Sequence, residues 1–174
     1  MANFLKCFNF VLANEDFTPP RYEPTPDPTE ADPGAQALSG INSAAWPKEF
    51  AFIASLPKDQ RAVAVQSFYY KNYWNPWYAQ LDSDEVAKRV LDMAFNTCQK
   101  TAVKLLQEAV NDLSISPPYP LSEDGQWGPL TIAQTNLMNE ANLVRSFQRN
   151  RADHYQKHDA KNKNLAQLIA RAEK

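Results

Sequence analysis

The sequence is short of several features that would point to common functions. It has 4 glycines and 2 cysteines in 174 residues, and no apolar stretch long enough to span a bilayer. Positive charge is not in excess either: the net charge is -2, so nothing indicates binding to nucleic acid or to an anionic membrane surface. The first residues lack the charged start and apolar run of a secretory signal.

The two cysteines do not form a recognisable site. Cys7 and Cys98 are too far apart in sequence for a zinc site or a redox motif, so we expect two reduced, buried thiols. A single disulfide is the alternative and would require an oxidising compartment.

Nucleotide and metal motifs are also missing. The sequence contains no P-loop, no glycine-rich dinucleotide turn and no nucleophile elbow. His154 and His158 have the i,i+4 spacing of metal ligands, but Asp153 and Asp159 beside them do not complete a zinc motif. We interpret this pair as a solvated helix end, and we expect no metal and no cofactor.

No stretch of any length shows the alternation of a β-strand, whereas several show helical spacing. The sequence therefore predicts an all-α fold with a long Pro-rich loop after the first helix. We expect at most a small irregular or β element near that loop. The loop is the stretch from Thr18 to Pro33, where proline removes hydrogen-bond donors and restricts the preceding residue.

The first helix carries the residue on which the functional argument depends. Phe4, Phe8 and Val11 fall on one helical face, and Glu15 extends that face by one more turn. Negative charge at a helix C-terminus is disfavoured by about 0.3–1 kcal/mol at exposed sites, so an acid there is more often present for a reason. A solvated acid at a helix end is the plain alternative.

Further helices follow from spacing and capping residues. Pro57 marks one start, Ser83 is a predicted N-cap, and Gly128-Pro129 opens a last long helix. Two sets recur at helical spacing and share a face: Val63, Ser67, Tyr70 and Trp74; and Val86, Val90, Met93 and Thr97. Two further sets are predicted to be buried: Ala102, Leu105, Leu106 and Ala109; and Leu130, Ala133, Leu137, Ala141 and Val144.

Three stretches together resemble a known family. They are the helix ending at Glu15 with the loop closing in "DPGAQALSGI", the run from Tyr69 to Val110, and "EDGQWGPLTI". They are similar to glycoside hydrolase family 108, the bacterial and phage N-acetylmuramidases with a lysozyme-like helical fold. The resemblance implies a lysozyme-like part over residues 1–98. Residues 99–174 would form a helical part resembling a peptidoglycan-binding segment, packed with the first as one compact unit.

The match to the family motif is incomplete. The family's Glu-Gly-Gly-Tyr reads as Glu15-Asp16-Phe17-Thr18, so the glutamate is kept and both glycines are replaced. Asp32 keeps the aspartate of Asp-Pro-Gly-Gly. The family threonine reads as Ala37, although Ser39 could serve if the loop is shifted.

The resemblance implies roles for particular residues. Glu15 would be the catalytic acid, because hydrolysis of a glycosidic bond needs a proton delivered to the leaving oxygen and burial against apolar groups keeps a carboxyl protonated. Asp32 would be the second carboxylate, or would only start an Asp-Pro-Gly turn. The substrate-binding candidates, each with a plain role in core, capping or loop packing as the alternative, are Ser39, Trp77, Tyr78, Asn96 and Trp127.

The function that the resemblance implies is hydrolysis of peptidoglycan by a bacteriolytic muramidase, or endolysin, that cleaves the glycan strand. Such a protein would be a monomer with no nucleic-acid partner and no membrane insertion. We expect it to be made in a bacterial or phage-infected cytoplasm and to act at the cell wall after release or dedicated export. The alternatives are a non-catalytic wall-binding or adaptor protein on a degenerate lysozyme fold, and a helical interaction protein unrelated to sugars.

Overall fold

The computed structural model describes residues 1–16, 19–28, 31–114, 120–160, 162 and 164–174. The helices in these residues are α1 (Phe4–Glu15), α2 (Pro47–Ser55), α3 (Lys58–Asn72), α4 (Asp84–Asn96), α5 (Gln99–Leu113), α6 (Pro129–Leu137), α7 (Glu140–His158) and α8 (Leu165–Ala172). A single 3₁₀ turn spans Tyr78–Gln80. The strands are β1 (Thr25–Pro26), β2 (Gln36–Leu38) and β3 (Ile41–Asn42).

The three short strands form one antiparallel sheet in the order β1-β2-β3. The mostly helical fold is therefore confirmed, with the small β element in the region where the sequence allowed one. The predicted Pro-rich loop is described only in part, because Thr18, Thr29 and Glu30 lie outside the described residues. No helix in the described part of the chain combines the length and the apolar character needed to cross a bilayer.

The chain divides into two compact units. The smaller unit is Phe8–Trp74, and the larger unit combines Met1–Cys7 with Asn75–Lys174. The boundary expected near residue 98 falls inside the larger unit.

The core of the larger unit follows the predicted faces of α4 and α5. Val86, Val90 and Met93 are buried, whereas Thr97, predicted on the same face, is exposed. The whole predicted face of α5 is buried: Ala102, Leu105, Leu106 and Ala109. Ser83 caps α4 as predicted, because its Oγ accepts the N–H of Val86 at 3.0 Å.

The predicted long helix after Gly128-Pro129 is wrong. Helix α6 ends at Leu137, and Asn139 begins α7 by accepting the N–H of Asn142 at 3.1 Å. The buried face of α6 is Thr131, Ile132 and Thr135, and the predicted Leu130 and Leu137 are 57% and 81% exposed. The N-cap at Asn139 resets the helical phase, so apolar spacing counted across it has no structural meaning.

The helix expected after Pro57 is present as α3, but the recurring set read from the sequence is not its buried face. Val63, Ser67 and Tyr70 are exposed, while α3 buries Val65, Phe68 and Tyr69. Both sets recur at helical spacing, and aromatic packing decides which of them faces the core. The rings of Phe8 and Tyr69 meet edge to face at 5.3 Å, and those of Trp46 and Phe68 at 5.0 Å. Helix α2 lies in a segment for which no element was predicted.

Both cysteines are free thiols. Cys7 is buried as expected, but the expectation of burial is wrong for Cys98, which is exposed at the N-cap of α5.

Candidate functional site

The apolar face of α1 ends at a cavity in the smaller unit. Phe8, Val11 and Leu12 are buried, and Glu15 is the last residue of the helix. The cavity has a volume of about 330 Å³, and its lining residues are Asn14, Glu15, Asp16, Glu23, Thr25, Ala37 and Ser39. The Oε1 atom of Glu15 is buried, while the side chain as a whole is half-buried. Glu15 therefore lies where the buried face of α1 meets the cavity, and its catalytic role stays a prediction.

Tyr73 is an aromatic neighbour of Glu15. Burial raises the pKa of the Tyr73 hydroxyl, a hydrogen bond with Trp46 lowers it, and the negative charge of Glu15 raises it further. The Tyr73 ring lies 5.8 Å from that of Tyr69 and 6.4 Å from that of Trp46. Tyr73 therefore belongs to an aromatic cluster and lies close enough to Glu15 to respond to its charge.

Asp16, at the position of a glycine in the family motif, holds the loop that follows α1. Its Oδ1 accepts the N–H of Arg21 at 3.2 Å, and its Oδ2 accepts the N–H of Tyr22 at 3.1 Å. The same Oδ2 accepts the hydroxyl of Ser39 at 2.6 Å. One carboxylate thus ties the segment after α1 to the turn between β2 and β3.

Ser39 is fixed in that turn from two sides. It is buried, has a positive φ of 49°, and its carbonyl accepts the Tyr69 hydroxyl at 2.9 Å. A positive φ is uncommon for a residue other than glycine and is held here by these contacts. Ala37 and Ser39, the two sequence-based candidates for the family threonine, both line the cavity, and of the two only Ser39 carries a hydroxyl.

Glu23 was not predicted as a site residue, but it lines the same cavity. Its Oε1 lies 2.5 Å from the Nζ of Lys58 in the first turn of α3. The hydrogen bond and the charge of Lys58 lower the pKa of the Glu23 carboxyl. Glu23 is itself exposed, so this ion pair lies at the surface beside the cavity.

Asp32 does not line this cavity. It is exposed, and its Oδ1 accepts the N–H of Gly34 at 3.0 Å. This is the turn-forming contact of an Asp-Pro-Gly sequence. The catalytic role of Asp32 stays a prediction.

The other predicted contacts belong to the larger unit. Tyr78 is fully buried, which raises the pKa of its hydroxyl, and that hydroxyl accepts the Gln99 side-chain amide at 3.2 Å. The Tyr78 ring meets that of Trp127 edge to face at 5.3 Å. The Asn96 amide donates to the Asp92 carbonyl at 2.9 Å, and the backbone N–H of half-buried Trp77 donates to the side chain of Asn75. Each of the four thus has a contact that serves packing or local structure.

The predicted histidine pair also lies in the larger unit. The rings of His154 and His158 are 4.5 Å apart, and burial and the neighbouring His158 lower the pKa of His154. Among the described residues, no group of three or more His, Cys, Asp or Glu side chains is arranged to hold a metal ion.

Comparison with known proteins gives a partial match to a family and a match in fold. Residues 24–97 match the sequence model of the family described as Glycosyl hydrolase 108. Asp32, Ser39, Trp77, Tyr78 and Asn96 lie inside the matched segment, whereas Glu15 precedes it. None of the curated proteins matches the chain.

The structure of Brucella abortus SagA is similar to this chain, with a TM-score of 0.61 at 23% sequence identity. The match covers 97% of this chain and 92% of that one. At this identity the likeness shows a shared fold over nearly the whole length.

Proposed function

We propose that this chain, which carries a glycosyl hydrolase 108 domain, is a peptidoglycan hydrolase of the lysozyme type. It would cleave the glycan strand between N-acetylmuramic acid and N-acetylglucosamine by general acid catalysis. The family domain supports peptidoglycan as the substrate, and the site of action would be the cell wall. Catalysis by side chains alone needs neither a metal nor a cofactor.

The observation that carries the proposal is the position of Glu15. Its carboxyl group lies where an apolar helix face meets a cavity, and its Oε1 is withdrawn from water. Burial penalises the charged form of a carboxyl and so favours the protonated form. A protonated carboxyl beside an open space is the arrangement that a proton donor to a leaving glycosidic oxygen requires.

The roles proposed for the remaining site residues come from the sequence. Asp32 is the sequence-based candidate for the second carboxylate, and Ser39 would contact the sugar beside Glu15. The further candidate contacts with the glycan strand are Trp77, Tyr78, Asn96 and Trp127. Aromatic faces suit sugar rings, and amide and hydroxyl groups suit sugar hydroxyls.

Replacement of Glu15 by Gln tests the proposal, because Gln keeps the shape of the side chain and removes the proton. The measurement is the release of reducing ends from purified peptidoglycan. We expect the variant to lose about 10²–10⁴-fold in rate, the usual contribution of a general acid. Glu49→Gln, in the first turn of α2 and outside the cavity, is the matched control and should retain the parent rate. Hydrolysis by Glu15→Gln at the parent rate would overturn the assignment.

A wall-binding protein without catalysis is the second candidate, and two observations favour it. Asp16 takes the place of a family glycine and commits its carboxylate to three hydrogen bonds, and Ala37 lines the cavity where the family has threonine. A sedimentation assay with purified peptidoglycan separates the two candidates. Retention on the wall by the parent protein with no reducing ends released would favour the binder.

A further inference from the structure

We infer that Glu23 is the second carboxylate of the proposed hydrolase, a role that the sequence motif offers to Asp32. The inference rests on the proposed function, since it names a partner for Glu15 in the same reaction. It is carried by the cavity: Glu15 and Glu23 both line it, and Asp32 does not. Two further observations support the role of Glu23: the conformation of the backbone before it and the positive charges beside its carboxylate.

The backbone immediately before Glu23 is held in a strained conformation. Tyr22 has a positive φ of 53°, which costs a non-glycine residue about 1–3 kcal/mol. Its N–H donates to Asp16 at 3.1 Å, and its carbonyl accepts Nη1 of Arg61 at 3.2 Å. Arg61 is itself fixed by donating to the carbonyls of Leu56 and Ala54. Contacts on both sides of Tyr22 therefore determine where the next residue, Glu23, enters the cavity wall.

The charge of Glu23 is also controlled. Lys58 lies 2.5 Å from its carboxylate and lowers its pKa, and Arg21 and Arg61 lower it further. Glu15 has a buried oxygen, which favours the neutral acid, whereas Glu23 is kept ionised. Two carboxyl groups whose surroundings favour opposite protonation states are the arrangement expected of an acid and its anionic partner.

The other acid in the cavity is less suited to this role. Asp16 uses both of its oxygens to accept hydrogen bonds from Arg21, Tyr22 and Ser39. These bonds tie both oxygens of Asp16 to the loop after α1 and to the turn between β2 and β3. Its function is to position the backbone that carries Glu23.

The reaction can be written with these two side chains and water. Glu15 gives its proton to the glycosidic oxygen, and the electron pair of the breaking carbon–oxygen bond goes to that leaving oxygen. The carboxylate of Glu23 stabilises the positive charge that develops on the anomeric carbon. A water oxygen then bonds to this carbon, and the proton that the water releases returns to Glu15. The sum is the addition of one water molecule, with Glu23 ionised throughout.

The test compares Glu23→Gln with Asp32→Asn in the full-length chain, using reducing-end release from purified peptidoglycan. We expect Glu23→Gln to lower kcat by about 10²-fold or more, the usual effect of removing one electrostatic contact to the transition state. We expect Asp32→Asn to lower it less than Glu23→Gln does. Glu23→Asp, which keeps the charge, should recover part of the loss. Glu49→Gln is the control, and thermal unfolding establishes that each variant is folded.

The pH dependence of kcat/KM distinguishes a catalytic Glu23 from one that only supports the structure. Glu23 must be ionised, so activity falls as the pH drops through its pKa. Lys58→Met removes the main group that lowers this pKa, so the acid limb of kcat/KM should move to higher pH. The charges that remain around Glu23 are Arg21, Arg61 and the acids of the cavity. An acid limb unchanged in Lys58→Met would contradict the inference.

The outcomes separate this inference from the proposed function. If the parent chain releases no reducing ends, the proposed function fails and this inference fails with it. If the parent chain and Glu23→Gln hydrolyse equally well while Asp32→Asn does not, the hydrolase stands and Glu23 is not its second carboxylate.

Discussion

The two units of the chain treat a buried acid in different ways. Asp92 in α4 of the larger unit is fully buried and is met by two guanidinium groups. Arg151 lies 2.6 Å from one of its oxygens and Arg171 lies 2.7 Å from the other. Glu15 in the smaller unit has a buried oxygen but lies at the wall of a cavity. An acid enclosed in the core between two fixed cations serves the fold, whereas an acid at the wall of a cavity can meet a substrate.

The largest effect expected on stability is that of Asp92→Ala. Arg151 is completely buried and would lose its charge partner, so the free energy of unfolding should fall by about 3–5 kcal/mol. Glu15→Gln should instead abolish hydrolysis and leave the thermal unfolding midpoint little changed. Denaturant unfolding and reducing-end assays on both variants check this contrast. A stable, inactive Asp92→Ala variant would show that the comparison is wrong.

Features that depend on contacts between residues close in sequence could be predicted, whereas features that depend on distant residues could not. The position of Glu15 depends on the spacing of Phe8 and Val11 in one helix, and the cap at Ser83 depends on a contact three residues away. Glu23 depends instead on a positive φ at Tyr22 and on Arg61, 39 residues further along the chain. No local pattern encodes such a contact, so the sequence could not place Glu23 at the cavity.

The buried face of a helix could be predicted where only one face is apolar. The α5 pattern has one apolar face and was predicted correctly, but α3 offers two sets of residues with helical spacing. The choice there is made by ring packing of Phe68 in α3 with Trp46 at the N-cap of α2, a contact that spacing does not reveal. The break between α6 and α7 did have a local signal, since Asn139 is a capping residue followed by Glu140.

In the larger unit, Gly125 has a backbone conformation and a close neighbour that other residues cannot accommodate. Gly125 has a positive φ of 71°, and a Cβ at this position would lie 2.3 Å from the carbonyl oxygen of Lys100. Gly125→Ala should therefore lower the free energy of unfolding by about 1–3 kcal/mol from the backbone conformation alone, with the clash adding to it. Gly128→Ala is the matched control, because no heavy atom lies within 4 Å of its added Cβ. Equal unfolding midpoints for the two variants would contradict this prediction.

The third prediction concerns the smaller unit, where strain lies beside the cavity. Asp16→Ala removes the acceptor of the Tyr22 N–H and of the buried Ser39 hydroxyl, at a cost of about 1–3 kcal/mol. The loop should then relax, and hydrolysis should fall by more than the small loss of stability explains. Asp59→Ala, on the exposed first turn of α3, should change activity little. Assays well below both unfolding midpoints separate the two effects, and parent-like activity of Asp16→Ala would mean that the strained loop is not needed.

The smallest expected effect is a difference in reactivity between the two thiols. It tests the burial of Cys7 in the larger unit without any substitution. Burial raises the pKa of the Cys7 thiol to about 12, so at pH 8 it stays protonated and unreactive. Hydrogen bonds with the side chain and backbone of Thr101 lower the pKa of the exposed Cys98 thiol, which increases its thiolate fraction at the same pH. A disulfide reagent should therefore modify one thiol rapidly in the native protein and the second only after unfolding. Mass spectrometry of the native reaction should place the label on Cys98, and rapid labelling of Cys7 would show that the N-terminal end of α1 is not packed as the structure describes.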